Sequence, residues 1–172
     1  MDAPTLTLVE RLTLANQYKI LAALSEDNAA GFARNAEILL RGHVGLYHHV
    51  FDGVSEEVPT EVTDEVQDIL DMFWGIHIVF AERPQSEIKA AGLDRKKLTF
   101  NGFDANNDPH YEQARFMVER LDLYQELKGG NFNSHSRMDM SRYRRMLPIY
   151  QAAFKSKEGL TVETLKAMQE AV

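Results

Sequence analysis

The 172-residue chain has no cysteine, which removes disulfides, thiolate metal sites and cysteine nucleophiles together and fits a reducing cytoplasm. Basic residues are also short. With 19 Lys and Arg against 26 Asp and Glu the formal net charge is -7, and such an average field repels nucleic-acid phosphates and anionic membrane surfaces. No stretch approaches the roughly 20 apolar residues that span a bilayer. Met1 to Leu12 carries an early acid and proline in place of a basic start and apolar run, so no secretory signal is read there, and a cytoplasmic protein is expected.

Catalytic signatures are missing as well. The chain holds no Gly-x-Ser-x-Gly elbow, no phosphate loop, no dinucleotide fingerprint and no Glu-x-x-His pattern of a di-iron bundle, so no catalytic residue, cofactor or metal is assigned. No alternating polar and apolar run is long enough for a strand. What remains, 44% hydrophobic and 26% charged residues, is ordinary globular composition, and the pattern predicts an all-α fold of about seven helices in one domain spanning residues 1–172.

The helices follow from spacing. Leu8, Leu12, Ala15 and Leu21, with Val9, Tyr18 and Leu24 beside them, mark a helix from Thr7 to Leu24. Asp27 or Asn28 caps a second, which Gly42 ends near Arg41, and His43 to Phe51 forms a short third. The strongest pattern is Val62, Val66, Ile69, Phe73, Ile76 and Phe80, which predicts a central buried helix over 60–83 with Thr60 as its cap. A second apolar row, Leu70, Trp74, Ile78 and Ala81, predicts burial on nearly all sides of its later half, with His77 as a core histidine. A turn of helix over Ser86 to Ala91 stops at Gly92. Asp108-Pro109 opens a helix that buries Tyr111, Ala114, Val118 and Leu121 and runs to Gly129-Gly130. Tyr143, Met146, Leu147, Tyr150 and Phe154 form the inner face of another, in which Pro148 predicts a kink or break near Arg144 or Arg145, and Thr161 caps a last helix over Val162 to Ala171.

One loop looks built. Leu98-Thr99-Phe100-Asn101-Gly102-Phe103-Asp104 combines two aromatics, a glycine and an acid between helices. As a packed hinge between two helical halves it would bury Phe100 and Phe103, give Gly102 a backbone angle closed to other residues and let Asp104 cap the next turn. As a site, it would hold Asn101, Asp104 and Asn106 at the rim of a pocket walled by the phenylalanines, with Tyr18, Lys19, Arg115 and Asn133 converging on it. His43, His48 and His49 have poor ligand spacing and read as surface histidines. Arg142, Arg144 and Arg145, with Arg137 upstream, form a concentrated basic patch.

Four blocks resemble the YfbU family of bacterial proteins: Leu12 through Asn16-Gln17-Tyr18-Lys19, then Thr99 to Asp104, then Arg115-Phe116-Met117-Val118, and Tyr143-Arg144-Arg145-Met146-Leu147. The resemblance implies an all-helical fold and self-association, suggests a ligand-binding role and supplies no catalytic residues. The leading expectation is an oligomeric, non-enzymatic module for a small polar ligand or a protein partner. Asn16, Gln17, Lys19 and Asp104 would supply polar contacts and Tyr18, Phe100 and Phe103 a wall, with Asn101, Arg115, Asn133, Tyr143 and Arg145 as further candidates. Two alternatives stand beside it: a hydrolase or other enzyme combining His77 or His135 with Asp104 and a tyrosine, and a DNA-associated regulator acting through the arginine patch.

Overall fold

The computed structural model describes residues 4–106, 109–128, 139–156 and 159–172. The chain divides into two compact units, Met1–Glu57 and Val58–Val172, each with a hydrophobic core of its own. Among the described residues there are eight α-helices and no strand, and no helix is long and apolar enough to cross a membrane.

In the first unit, α1 (Leu8–Leu24) packs along α2 (Ala29–Arg41), and a single 3-10 turn leads into the short α3 (Tyr47–Val50). A capping box starts α1: the Thr7 hydroxyl accepts from the Glu10 amide, and the Thr7 amide donates to the Glu10 carboxylate at 2.7 Å. Gly42, at φ +67°, ends α2 in the left-handed conformation that its position predicts. The core is small, with Ala15, Leu39, Tyr47 and Val50 buried and Leu14, Tyr18 and Ile38 packed against them. Leu8, Leu12, Leu21 and Leu24, which the sequence pattern turns inward, are exposed instead. The helix has an apolar row on each side, and periodicity alone cannot say which row meets α2.

The second unit is organised by α4 (Thr60–Glu82), the central helix of its core. Val66, Ile69, Phe73, Ile76 and Phe80 are buried as predicted, joined by Leu70, Met72 and Val79. Thr60 is the first helical residue and not the cap; Pro59 occupies the cap position without a side-chain bond. Trp74, His77 and Ala81 are exposed, so His77 is a surface residue and not a core histidine. The short α5 (Gln85–Ala90) follows.

α6 (His110–Glu119) is shorter than its pattern suggests. It ends well before Gly129, because Asp122 and Tyr124 take φ of 54° and 53°, backbone that cannot continue a right-handed helix. Leu121 is accordingly exposed, while Ala114, Met117 and Val118 are buried. α7 (Met140–Lys155) runs unbroken through Pro148, and its inner face is Tyr143, Met146 and Leu147; Phe154, near its end, is exposed. α8 (Val162–Glu170) packs on α7, its first turn capped by Thr161, whose hydroxyl accepts from the Thr164 amide.

The aromatic loop lies within this unit, and the boundary between units falls at Glu57, so it is not a hinge between halves. Phe100 and Phe103 are buried in a ring cluster with Phe73 and Tyr143, at centroid separations from 5.0 to 5.9 Å. Gly102 sits at φ +84°, where a side chain would be strained. The Tyr143 hydroxyl reads both sides of it, accepting from the Asn101 amide at 3.1 Å and donating to the Gly102 carbonyl at 2.9 Å. Tyr143→Phe keeps the ring and leaves those two backbone groups without that partner. The expected loss is about 1–3 kcal/mol in urea unfolding, at unchanged m-value; a loss below about 0.5 kcal/mol would show that the loop is held by ring packing alone.

Candidate functional site

The candidate residues of the sequence divide between the two units. In the first, Asn16 and Gln17 are exposed on α1. The half-buried Tyr18 donates its hydroxyl to the Val50 carbonyl at 2.6 Å and sits 6.1 Å from Phe32, on the wall of a cleft of about 820 Å³ that also includes Asn35, His43 and His49. Lys19 borders a separate hollow against α2. His43, His48 and His49 are exposed, and among the described residues no group of three His, Asp or Glu could hold a metal ion.

In the second unit the loop residues serve the fold. Asn101 donates its side-chain amide to Asp139 at 3.0 Å, and Asp104, although buried, accepts from the Asn106 amide at 2.9 Å in the turn its type predicts. Arg115 is exposed on α6, bonded to Glu119 at 3.0 Å with Glu112 beside it, and does not join the loop cluster. Asn133, His135, Arg137 and Asp108 lie outside the described residues. The arginine patch of α7 is engaged internally. Arg142 donates to the Thr99 carbonyl at 2.6 Å and lies over the rings of Phe73 and Tyr143, and Arg145 donates to the Ala171 carbonyl at 2.6 Å.

Arg144 leads to an arrangement that sequence reasoning does not find. Its Nε and a terminal nitrogen donate to the two oxygens of Glu65 at 2.7 and 2.9 Å, a bidentate pair between α7 and α4. The same Glu65 Oε2 lies 2.7 Å from Nε2 of His110, the first residue of α6. His110 is 5% exposed, its ring stacked on Phe103 at 5.7 Å, and its Nδ1 is buried with no hydrogen-bond partner among the described residues. The three side chains line one cleft of about 980 Å³, together with Glu61 and Val62 of α4, Asp104 and Pro109, and Met140, Ser141 and Arg145 of α7.

The electrostatics of this triad are set by the guanidinium. Hydrogen bonds from Arg144 hold the Glu65 carboxyl down to about 2, from an ordinary 4.5, against the desolvation that raises it; His110 pulls in the same direction as Arg144. Glu65 is therefore a carboxylate, and the proton in its contact with His110 belongs to the imidazole. Nε2–H donates to that carboxylate. Glu65 and His110 are 45 residues apart and Glu65 and Arg144 79 apart, so no local spacing in the chain could have joined them.

A core around α4 with an aromatic-pinned loop and a carboxylate shared between α6 and α7 defines a helical domain with an embedded polar cleft. The YfbU domain model matches residues 5–171 of the chain, and the protein belongs to that family.

Glu65 gives the second unit a pH-dependent stability of known sign. A carboxyl whose folded pKa is depressed stabilises the fold above its unfolded value, so the contribution is intact above pH 4.5 and declines as the pH falls toward 2. The shift bounds it at about 3 kcal/mol, reduced by screening because Arg144 is more than half exposed. The gap between the denaturation midpoints of wild type and Glu65→Gln, with the variant weaker at neutral pH, should therefore narrow progressively as the pH falls from 4.5 toward 2. A constant gap across that range would refute the assignment.

Proposed function

We propose that the protein is a cytosolic, non-enzymatic assembly module whose first unit self-associates through the outer face of α1. The observation that carries this reading is the exposure of Leu8 (75%), Val9 (72%), Leu12 (52%), Ile20 (59%) and Leu24 (77%) on one 17-residue helix. Single exposed apolar residues are normal; a continuous row of them is characteristic of an interaction surface.

The row favours a second copy of the chain over an unrelated partner. Leu8, Leu12, Asn16, Ile20 and Leu24 follow at steps of four and are symmetric about Asn16. A two-fold interface requires a self-complementary patch, and an antiparallel copy supplies it, setting Leu8 against Leu24, Leu12 against Ile20 and Asn16 against its own equivalent. Asn16 at the centre gives the seam a register, since a lone amide in an apolar interface is satisfied only by meeting its counterpart. The Asn16 and Gln17 block then has a role without a small ligand. The lack of cysteine is in keeping with a reducing cytosol.

Sedimentation equilibrium of the full chain should give a dimer, and Leu12→Glu or Ile20→Glu should each return it to monomer with helix content unchanged. Because there is no native cysteine, Asn16→Cys with a short bismaleimide should give a cross-linked dimer, and Glu10→Cys should not. A monomeric wild type, or a Leu12→Glu variant that keeps its oligomeric mass, sinks the proposal.

A further inference from the structure

The cleft of about 820 Å³ in the first unit has the size of a small-molecule site, and every residue that lines it is described. Its apolar wall is aromatic. The rings of Tyr18 and Phe32, both half-buried, lie 6.1 Å apart, with Ile38, Leu46 and Val50 beside them. Tyr18 spends its hydroxyl on the Val50 carbonyl at 2.6 Å, which tethers the side chain at its tip and leaves the ring as what it offers a ligand.

The polar lining is mixed and its charges balance. Arg41 bonds Glu37 at 2.7 Å, so Arg34 and Asp52 remain as one charge of each sign. A simple anion or cation meets attraction and repulsion together, and among the described residues no group of three His, Asp or Glu could hold a metal ion. The side chains of Arg34, Asn35 and His43 make no hydrogen bond or ion pair with a described residue, and Arg34 and His43 are exposed. Asn28 lies against Gly31, where a Cβ would strike its Oδ1, and His49 adds a second imidazole. Guanidinium, amide and imidazole donors thus stand with amide and carboxylate acceptors around an aromatic wall. That set complements a neutral planar ring with both donors and acceptors on its edge. Arg, Asn and Asp are the side chains that pair with base edges, and every base has a face that stacks on an aromatic ring. We propose that this cleft binds a free nucleoside, its base on the Tyr18 and Phe32 wall and its edge bonded by Arg34, Asn35 and Asp52. A nucleic-acid strand is disfavoured by the net charge of -7. Tyr18 packs on the core side of α1, so the site is independent of the seam of Leu12 and Ile20.

Chemical-shift titration of the full chain at pH about 8, where the imidazoles are neutral, tests this with adenosine, guanosine, cytidine and uridine. Ribose supplies the sugar without a base, and N-methylindole a ring plane without the edge groups. At least one nucleoside should move the Tyr18 and Phe32 ring resonances and bind about tenfold tighter than either control. Its monophosphate should bind no tighter, because the lining charges balance. Phe32→Leu, which keeps apolar bulk and removes the plane, should weaken that nucleoside about tenfold. Arg34→Met should erase its advantage over N-methylindole, and Leu12→Glu should leave its binding unchanged, which separates this site from self-association. Circular dichroism establishes that the variants are folded. No response to any of the nucleosides, equal binding of ribose or N-methylindole, tighter binding of the monophosphate, or an affinity that survives both Phe32→Leu and Arg34→Met each overturns the proposal.

Discussion

The second unit turns on one carboxylate. Glu65, near the start of α4, receives Arg144 from α7 and His110 from α6, so the N-terminal parts of three helices meet on two oxygen atoms. Apolar burial supplies most of the stability of such a core, and ion pairs that are partly buried often contribute little beyond their own desolvation cost. Their value lies in register. Hydrophobic ridges on α6 and α7 could slide along α4 by a turn at modest cost, but a bidentate guanidinium and an imidazole meet one carboxylate in a single arrangement. With α7 fixed in this way, Tyr143 stands where its hydroxyl can reach both Asn101 and Gly102, and the aromatic loop closes over Phe73.

The loop illustrates how far a sequence carries. Its aromatic content, the positive φ of Gly102 and the turn at Asp104 are local properties, set by residue types within a few positions of one another, and all three are found. Its anchor is Tyr143, some forty residues away, and its setting inside the second unit depends on pairings that no local rule encodes. The stripe of α4 was legible because six apolar residues, Val62 to Phe80, repeat over about five turns. The helix over 110–119 starts one residue later than read, with Pro109 at the cap and His110 first, and it ends well short of the expected Gly129. Leu121 continues the apolar period, but the left-handed backbone at Asp122 and Tyr124 is chosen by residues lacking the usual glycine signal.

The candidate site shows the same division. Asn101, Phe100, Phe103 and Tyr143 come together in the packed loop, without Tyr18, Lys19 or Arg115, the described partners expected to converge there. Asp104 and Arg145 border the cleft, while the group at its centre, His110, had no motif to announce it. A histidine following a proline at a helix start reads as unremarkable. Only when the fold sets Glu65 against its Nε2 does it acquire a defined role. Asn101 and Arg145, found by type and spacing, are bonded within the second unit, whereas Glu65, His110 and Arg144 were joined only by the fold.

The first unit poses the converse problem, too little burial for its size. Its core of Ala15, Leu39, Tyr47 and Val50 contains two large side chains and one alanine, in a segment for which a single core is ordinarily marginal. Meanwhile α1 alone exposes Leu8, Val9, Leu12, Ile20, Leu21 and Leu24. Each such side chain gains roughly 1.5–3 kcal/mol when fully removed from water, so covering the row would outweigh what the internal core contributes through its own few residues. Selection for a monomer would replace those leucines by charges at little cost to α1, whose packing uses Leu14, Ala15 and Tyr18 on the other side. Their presence as a row at four-residue spacing, interrupted once by an amide at its midpoint, is the observation on which the proposed self-association rests.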